Sequence, residues 1–343
     1  METLSETDLA ALARDAFIGL GLSPEDAADA SSILVLADLF GITTHGVERI
    51  LSYGERLRIG GINAAPDIAV EAVAPAMLTV DGDNGVGPLV GRRALDAAIA
   101  QARQTGVSVA FVRGSNHFGP ICPYAFLAAE AGFASMVFSN ATTTIPPWGG
   151  REARLGNNPL GLGVPGPGGA HVILDIALSV AARAKIRRAA TRGEQIPADW
   201  ATDAAGRPTT DPAEALAGFL QPIGGHKGSG LSVMVDMFAG MLSGAAFLTQ
   251  VKSWVDEPDK PQNLGHFFLL LDIGRLAPAE ELAARTAAFA GIVHDTPPVD
   301  PSSPVRLPGE IELGRLRHGR ENGVAIASDI SRRLREIAGI LGT

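Results

Sequence analysis

The run Gly161-Leu162-Gly163-Val164-Pro165-Gly166 spells a Gly-x-Gly-x-x-Gly fingerprint, yet its surroundings forbid the fold that the fingerprint normally announces. The motif works only where a strand leads in and a helix leads out, because the helix N-terminus must meet a pyrophosphate. Here Pro165, Pro167 and two further glycines follow, and the next apolar run, His171 to Ile176, reads as a strand. A Rossmann unit at this place is therefore excluded. A second stretch, Asp81-Gly82-Asp83-Asn84-Gly85-Val86-Gly87-Pro88, does sit between a strand and a helix. Its glycines at 85, 87 and 91 miss the spacing by one, so it reads first as a tight strand-to-helix turn. Walker, HExxH and EF-hand patterns are absent from the chain.

Periodicity outlines the rest. Ser23-Pro24-Glu25-Asp26 supplies an N-cap, a proline at the first helical position and an early acid, and the alanine-rich helix it opens should end at Gly41. A second helix is expected from about Thr44 towards Gly60-Gly61. Strands are expected within Ile68 to Val80, at Val107 to Val112, at Phe133 to Phe138, at His171 to Ile176 and at His266 to Asp272. Helices are expected at Leu89 to Gln104, Tyr124 to Ala131, Ser179 to Arg192, Gly230 to Phe247, Ala279 to Ala290 and Ser331 to Leu341. The proline-rich stretch from Thr296 to Pro308 reads as an extended surface crossover. The class is α/β (α+β) with helices at both chain ends, divided provisionally into a helical part (1–75), a central α/β part (76–300) and a C-terminal segment packing back on the first (301–343).

Composition narrows the function. Twenty-eight Lys and Arg against 37 Asp and Glu leave a formal charge of −9, and the densest basic stretch, Arg183 to Arg192, reads as one solvated helix face. Nucleic acid needs clustered positive charge, so it is not an expected partner. The single cysteine, Cys122, excludes an internal disulfide and a multi-cysteine zinc cage, and suits a reducing, cytoplasmic setting. No metal site is expected. Gly230 to Leu248 is the most membrane-like segment, but it carries Asp236 and internal glycines, so a buried helix is the expectation and a membrane partner is not.

Three polar clusters stand out from the alanine-rich background. In Thr44-His45-Gly46-Val47-Glu48-Arg49, continuing to Tyr53, a helical reading puts His45, Arg49 and Tyr53 four residues apart on one face. A guanidinium fork suits a carboxylate, and an imidazole suits proton transfer near neutral pH. The bland alternative is an exposed face with Arg49 ion-paired to Glu48 or Glu55. Gly114-Ser115-Asn116-His117-Phe118-Gly119 follows a strand end, where α/β proteins place ligands, although a simple turn with a bonded histidine also fits. Gly224-Gly225-His226-Lys227-Gly228-Ser229-Gly230 opens the long apolar helix, so its amides and Lys227 can hold a phosphate; a flexible connector is the alternative.

Taken in order, these clusters resemble the malate/L-lactate dehydrogenase family of ketoacid and ketimine reductases, a family distinct from the Rossmann-type lactate and malate dehydrogenases. The resemblance runs along nearly the whole chain. It takes in Thr44-His45-Gly46 with Arg49 and Tyr53, Asp81 to Gly85, Ser115 to Gly119, Pro147-Trp148-Gly149-Gly150 and Gly156-Asn157-Asn158-Pro159. Further on it takes in Asp175 to Ser179, Thr210-Asp211-Pro212, Gly225-His226-Lys227-Gly228 and Pro308-Gly309-Glu310. The resemblance implies a non-Rossmann domain that binds NAD or NADP on a largely antiparallel sheet, interwoven with a helical domain built from both chain ends. It also implies a homodimer with the active site near the subunit interface.

By the same resemblance, His45 and His117 are the acid–base candidates, Tyr53 joins the catalytic group, Arg49 clamps the substrate carboxylate, and Thr44 and Asn157 contact substrate. Cofactor contacts are implied for His117, Asn140, Asp175, Ile176, Ala177, Leu178, Ser179, His226, Lys227, Gly309 and Glu310. Several positions depart from the usual pattern: Thr44 stands for Ser, Asn157 for Thr, His226 for an aromatic, Ala141 for Ser and Ala184 for Gly. These exchanges bear on substrate and cofactor preference. The expected activity is hydride transfer between nicotinamide and C2 of a small 2-oxo or 2-hydroxy carboxylic acid such as malate, lactate or ureidoglycolate. The alternatives are reduction of cyclic 2-imino acids and, from another class, a catalytically idle ligand-binding protein.

Overall fold

A computed structural model describes residues 1–340. Its centre is a seven-stranded sheet built from β1 (Ala69–Ala74), β2 (Met77–Asp81), β3 (Val107–Ser115), β4 (Phe133–Ser139), β5 (Leu160–Val164), β6 (Val172–Ile176) and β7 (Leu264–Asp272). The order is β1-β2-β3-β7-β4-β5-β6. Only β2 and β3 run parallel; every other neighbouring pair is antiparallel. This is a mixed α/β fold with a mostly antiparallel sheet, as expected. The late strand β7 slots between β3 and β4, which explains its continuous apolar run Phe267-Phe268-Leu269-Leu270.

The helices in the first half of the chain are α1 (Glu6–Gly19), α2 (Pro24–Leu39), α3 (Arg49–Arg58), α4 (Gly87–Thr105) and α5 (Cys122–Glu130). Ser23 caps α2 through its hydroxyl, which accepts from Asp26 N–H at 3.1 Å, a contact of about 1 kcal/mol. Helices α4 and α5 cover one face of the sheet, and α2 packs over both. In β5, Gly161 and Gly163 serve this packing and not a nucleotide. A methyl group on Gly161 would lie 2.4 Å from Ile121 Cγ2, and one on Gly163 would lie 3.0 Å from the Ala125 carbonyl.

The later helices are α6 (Arg183–Arg192), α7 (Pro212–Ala217), α8 (His226–Asp236), α9 (Ala279–His294), α10 (Glu310–Asn322) and α11 (Ser328–Ile337). The two chain ends meet. Strand Glu2–Leu4 pairs with Val324–Ile326, and Leu9, Phe17, Leu34 and Leu39 share a core with Leu313, Leu316 and Leu334. Burying each of these large side chains contributes about 1.5–3 kcal/mol. Among the described residues no helix is long and apolar enough to cross a membrane, and no group of three or more His, Cys, Asp or Glu side chains is placed to hold a metal ion.

Five expectations need correction. The second helix does not begin near Thr44: a 3-10 turn (Thr43–His45) comes first and α3 starts at Arg49. Residues 179–182 are not helical, since Ser179 bridges Pro222 and Ala182 is extended, so α6 is shorter than expected. The apolar helix starts earlier, at His226, and passes through a π-turn at Met237–Met241 before the chain turns at Gly244. That helix is not wholly buried either: Leu231, Met234, Met237, Met241 and Leu242 are exposed in the protomer. The last helix starts earlier than expected, at Ser328, and ends at Ile337, short of the expected Leu341.

Candidate active site

Three separate pieces of chain make one polar cleft. The α2–α3 connector and α3 bring His45, Arg49 and Tyr53; the loop after β3 brings His117; the segment before β7 brings Trp254 and Gln262. The His45 and His117 rings stand 5.4 Å apart. Tyr53 Oη lies 2.9 Å from His117 Nδ1. This phenol has no exposed surface, and burial raises its pKa well above the usual value, so it keeps its proton. Nδ1 is its one partner among the described residues, so the phenol donates there. The hydrogen-bond network thereby assigns the neutral His117 proton to Nε2.

His45 is partly buried, and its Nδ1 lies 2.9 Å from the Thr44 hydroxyl. Burial first, then the Arg49 guanidinium, pushes its pKa down to about 4. For His117, burial followed by His45, Arg49 and His266 drives the pKa well below the usual histidine value. Both rings are neutral near pH 7 in the free protein. Arg49 donates Nε–H to the Thr44 carbonyl at 2.7 Å and forms no ion pair among the described residues. The bland reading, an ion pair with Glu48 or Glu55, is therefore not what the fold builds. Neither Nη group has a protein partner among the described residues, which leaves a bidentate fork free for a carboxylate.

Behind these groups sits a residue that the sequence patterns did not single out. Arg56 is 1% exposed and pairs with no carboxylate. Its guanidinium donates to the carbonyls of Pro258 (2.9 Å), Gly61 (3.0 Å) and Lys260 (2.5 Å), and to Asn116 Oδ1 (3.0 Å) and Gln262 Oε1 (3.3 Å). It also stacks 4.7 Å from the centre of Trp254, whose ring meets Tyr53 and His117 edge-on. Gln262 Oε1 in turn accepts the His117 backbone N–H at 3.4 Å. Asn116 donates to Asn84 and to the Gly85 carbonyl, so the Asp81–Gly85 stretch is the turn that anchors the His117 loop.

The expected cofactor segments also converge, around the end of β6. Leu178 and Val180 pair with Ile223 and Gln221, which sets Ser179 beside Pro222 and the glycines that open α8. His226 and Lys227 are exposed in the first turn of that helix. Pro308 accepts the Ile173 N–H at 3.0 Å, so Gly309 and Glu310 run alongside β6. Ile176 and Ala177 are half-buried, and Leu178 is fully buried with its N–H on the Asn157 carbonyl. The Asn157 side chain has no hydrogen bond among the described residues, and Thr44 is exposed. Two expected contacts are spent within the protein. Asn140 serves Ala246, Asp236 and Gly265, while the Asp175 carboxylate accepts the Cys122 N–H at 2.8 Å at the start of α5, with burial raising its pKa to about 6.

A nicotinamide dinucleotide fits this second region on two grounds. Among the described residues Ser179 Oγ is buried without a hydrogen-bond partner, and two first-turn amides of α8, those of His226 and Gly228, have no main-chain acceptor beside the exposed Lys227 cation. Comparison with known proteins supplies the frame. The sequence profile described as malate/L-lactate dehydrogenase matches residues 4–335. The chain belongs to the malate/L-lactate dehydrogenase family.

Members of this family similar to the chain include a malate dehydrogenase of Pyrococcus abyssi, 35% identical over 94% of this chain and 90% of that protein. A ureidoglycolate dehydrogenase (NAD(+)) of Escherichia coli K12 is 33% identical over 90% of this chain and 88% of its own length. Among solved structures, the delta1-piperideine-2-carboxylate reductase of Pseudomonas syringae superposes with a TM-score of 0.88 at 31% identity, covering 98% of this chain and 100% of that one. As a member of the malate/L-lactate dehydrogenase family, the chain is a nicotinamide-dependent oxidoreductase.

Proposed function

We propose that this enzyme reduces a small 2-oxo carboxylate at C2, or oxidises the matching 2-hydroxy acid, with His45 as the acid–base residue. The observation that carries the reading is the pairing of the neutral His45 and His117 rings at 5.4 Å with an Arg49 fork that no protein group occupies. Arg49 clamps the substrate carboxylate, and His45 moves a proton to or from the C2 heteroatom. His117, held by Tyr53 as an Nε2–H donor, orients and polarises the reacting group. Thr44 sets the His45 ring, and Asn157 lines the substrate side. Bound NAD or NADP supplies or takes the hydride. Ser179, Lys227, His226 and the Gly309–Glu310 segment hold it, with the sheet as the cofactor-binding half and the two chain ends as the helical half.

Reduction of a cyclic 2-imino acid is the second reading, favoured by the fold shared with the piperideine carboxylate reductase. The arrangement of His45, His117 and Arg49 speaks against an idle binding protein, which has no use for a carboxylate fork beside two paired histidines. The exposed apolar row from Leu231 to Leu242 supports a homodimer, and the reduced, buried Cys122 suits a cytoplasmic setting. The test is turnover of 2-oxo acids and cyclic imines with NADH and NADPH. Activity with at least one such carboxylate is expected, and none with any pairing would remove the proposal.

A further inference from the structure

Asp38 lies near the end of α2, a lone acid inside the apolar run Ile33-Leu34-Val35-Leu36-Ala37-Asp38-Leu39-Phe40. It is 4% exposed and has no ion-pair partner among the described residues. Burial pushes its carboxyl up to about 7, opposed by the Val47 hydrogen bond and reinforced by the nearby Glu48. A buried acid with no cation is an expense to the fold. Something local must therefore use it.

The use is visible in the connector to α3. Main-chain bonds from Gly41 and Ile42 close α2, and those from His45 and Gly46 wind the 3-10 turn. The side chain that reaches across from α2 to the start of α3 is Asp38, whose Oδ2 accepts the Val47 N–H at 2.7 Å. The same carboxylate lies against Gly46. A methyl group there would stand 2.1, 2.2 and 2.3 Å from Asp38 Oδ1, Cγ and Oδ2. Gly46 has φ −86°, outside the left-handed region that calls for glycine, and the Asp38 carboxylate fills the space a side chain there would need. Asp38 and Gly46 form one fitted unit, directly beside His45.

We propose that Asp38 is a positioning residue for proton transfer: seated on Gly46 and holding the Val47 N–H, its carboxylate fixes where the His45 ring stands. The inference rests on the reading of His45 as the acid–base residue. A misplacement of about 1 Å in such a group costs on the order of 100-fold in rate. Asp38→Asn keeps the shape and an acceptor for Val47 N–H, so it holds kcat within about 3-fold. Asp38→Leu keeps the bulk and loses the acceptor, so kcat falls by about 10- to 100-fold while the NADH Kd stays within about 2-fold.

Gly46→Ala falls similarly. Asp38→Ala lacks the same acceptor, so adding it to Gly46→Ala removes the clashing atoms but deepens the kcat loss by no more than about 2-fold, because both changes break one unit. A purely structural role predicts additive losses in Tm with kcat of the folded protein unchanged. The experiment is steady-state kinetics with NADH and the best 2-oxo acid, with the NADH Kd from fluorescence and Tm from thermal melts. Wild-type kcat in Asp38→Leu, or a double variant whose kcat loss is the product of the separate Asp38→Ala and Gly46→Ala losses, overturns the inference. If Asp38→Leu does not fold, the Gly46 pair decides. His45→Asn is the control: if it retains kcat, the acid–base reading itself fails and takes the inference with it. An inactive His45→Asn beside a fully active Asp38→Leu removes Asp38 alone.

Discussion

The cleft proposed for proton transfer and the region proposed for the cofactor are built on opposite terms. Around His45 and His117 the protein supplies its own partners. Arg56 spends its donors on five neutral acceptors, Asn116 is fully bonded, and Tyr53 is locked on His117. Around Ser179 and Lys227 it withholds them: the hydroxyl is buried and unpartnered, and the cation is exposed. One region is organised before any ligand arrives, while the other is left for the ligand to complete. That division suits the chemistry, since proton transfer depends on fixed geometry and dinucleotide binding supplies many contacts of its own.

Removing the central group of the preorganised region gives the largest effect. His45→Asn should lower kcat by about 100- to 10,000-fold while the NADH Kd, followed by fluorescence, stays near wild type. His117→Asn should lose less, since its assigned part is to donate from Nε2. A reversed order would exchange the two roles. The same residue sets a pH signature. Burial and Arg49 lower the His45 pKa to about 4, so the neutral base survives from above pH 6.5 down to about 4 in the free enzyme. The kcat/KM for hydroxy-acid oxidation should stay level through pH 6.5 and fall only towards pH 4. Stability carries the matching sign: the unfolded chain takes up the proton first, so this histidine costs stability as pH falls through that window. An acid limb at about 6.5 would show an unperturbed histidine at work.

Arg49→Lys probes a charged group of the cleft whose partner is left to the substrate. The charge survives and the fork does not, so kcat/KM for 2-oxo acids should drop by about 2–3 kcal/mol, with the NADH Kd unchanged. Unchanged kinetics would demote Arg49 to surface decoration and blur the contrast between the two regions.

Local spacing made part of this legible. Thr44, His45, Arg49 and Tyr53 are close in sequence, so any compact path of the chain brings them together. The shared helical face holds for Arg49 and Tyr53, both in α3, but not for His45. Asp38 and Gly46 interrupt the helix, and the turn rather than the i,i+4 rule delivers His45 to the cleft. The Gly161 to Gly166 fingerprint was correctly set aside from its context, although only the structure reveals that α5 is what those glycines make room for. Arg56 was illegible because its acceptors include carbonyls and amides 60 to 206 positions away, and a backbone carbonyl leaves no mark in a sequence. Asp38 did leave a signal, an unpaired acid within eight otherwise apolar residues. The exposed face of the helix after Gly230 left none, since an apolar row at the surface reads like one facing a core.

The smallest expected effect discriminates best. Ser179 Oγ has lost water and gained no partner in the free protein, so truncating it removes an unsatisfied group and not a bond. Ser179→Ala should therefore leave Tm level or slightly higher, within about 0.5 kcal/mol of wild type. If the hydroxyl waits for the dinucleotide, the same change should weaken NADH binding by about 0.5–1.5 kcal/mol, the net worth of one hydrogen bond. Thermal melts with and without saturating NADH measure both quantities on one sample, because ligand stabilisation follows Kd. The expected result is a free protein that melts no earlier and a complex that gains less from NADH. A variant that melts earlier and binds NADH as well as wild type would make Ser179 a packing residue. The cofactor region would then be as self-sufficient as the cleft, and the contrast between a finished site and one completed by its ligand would no longer hold.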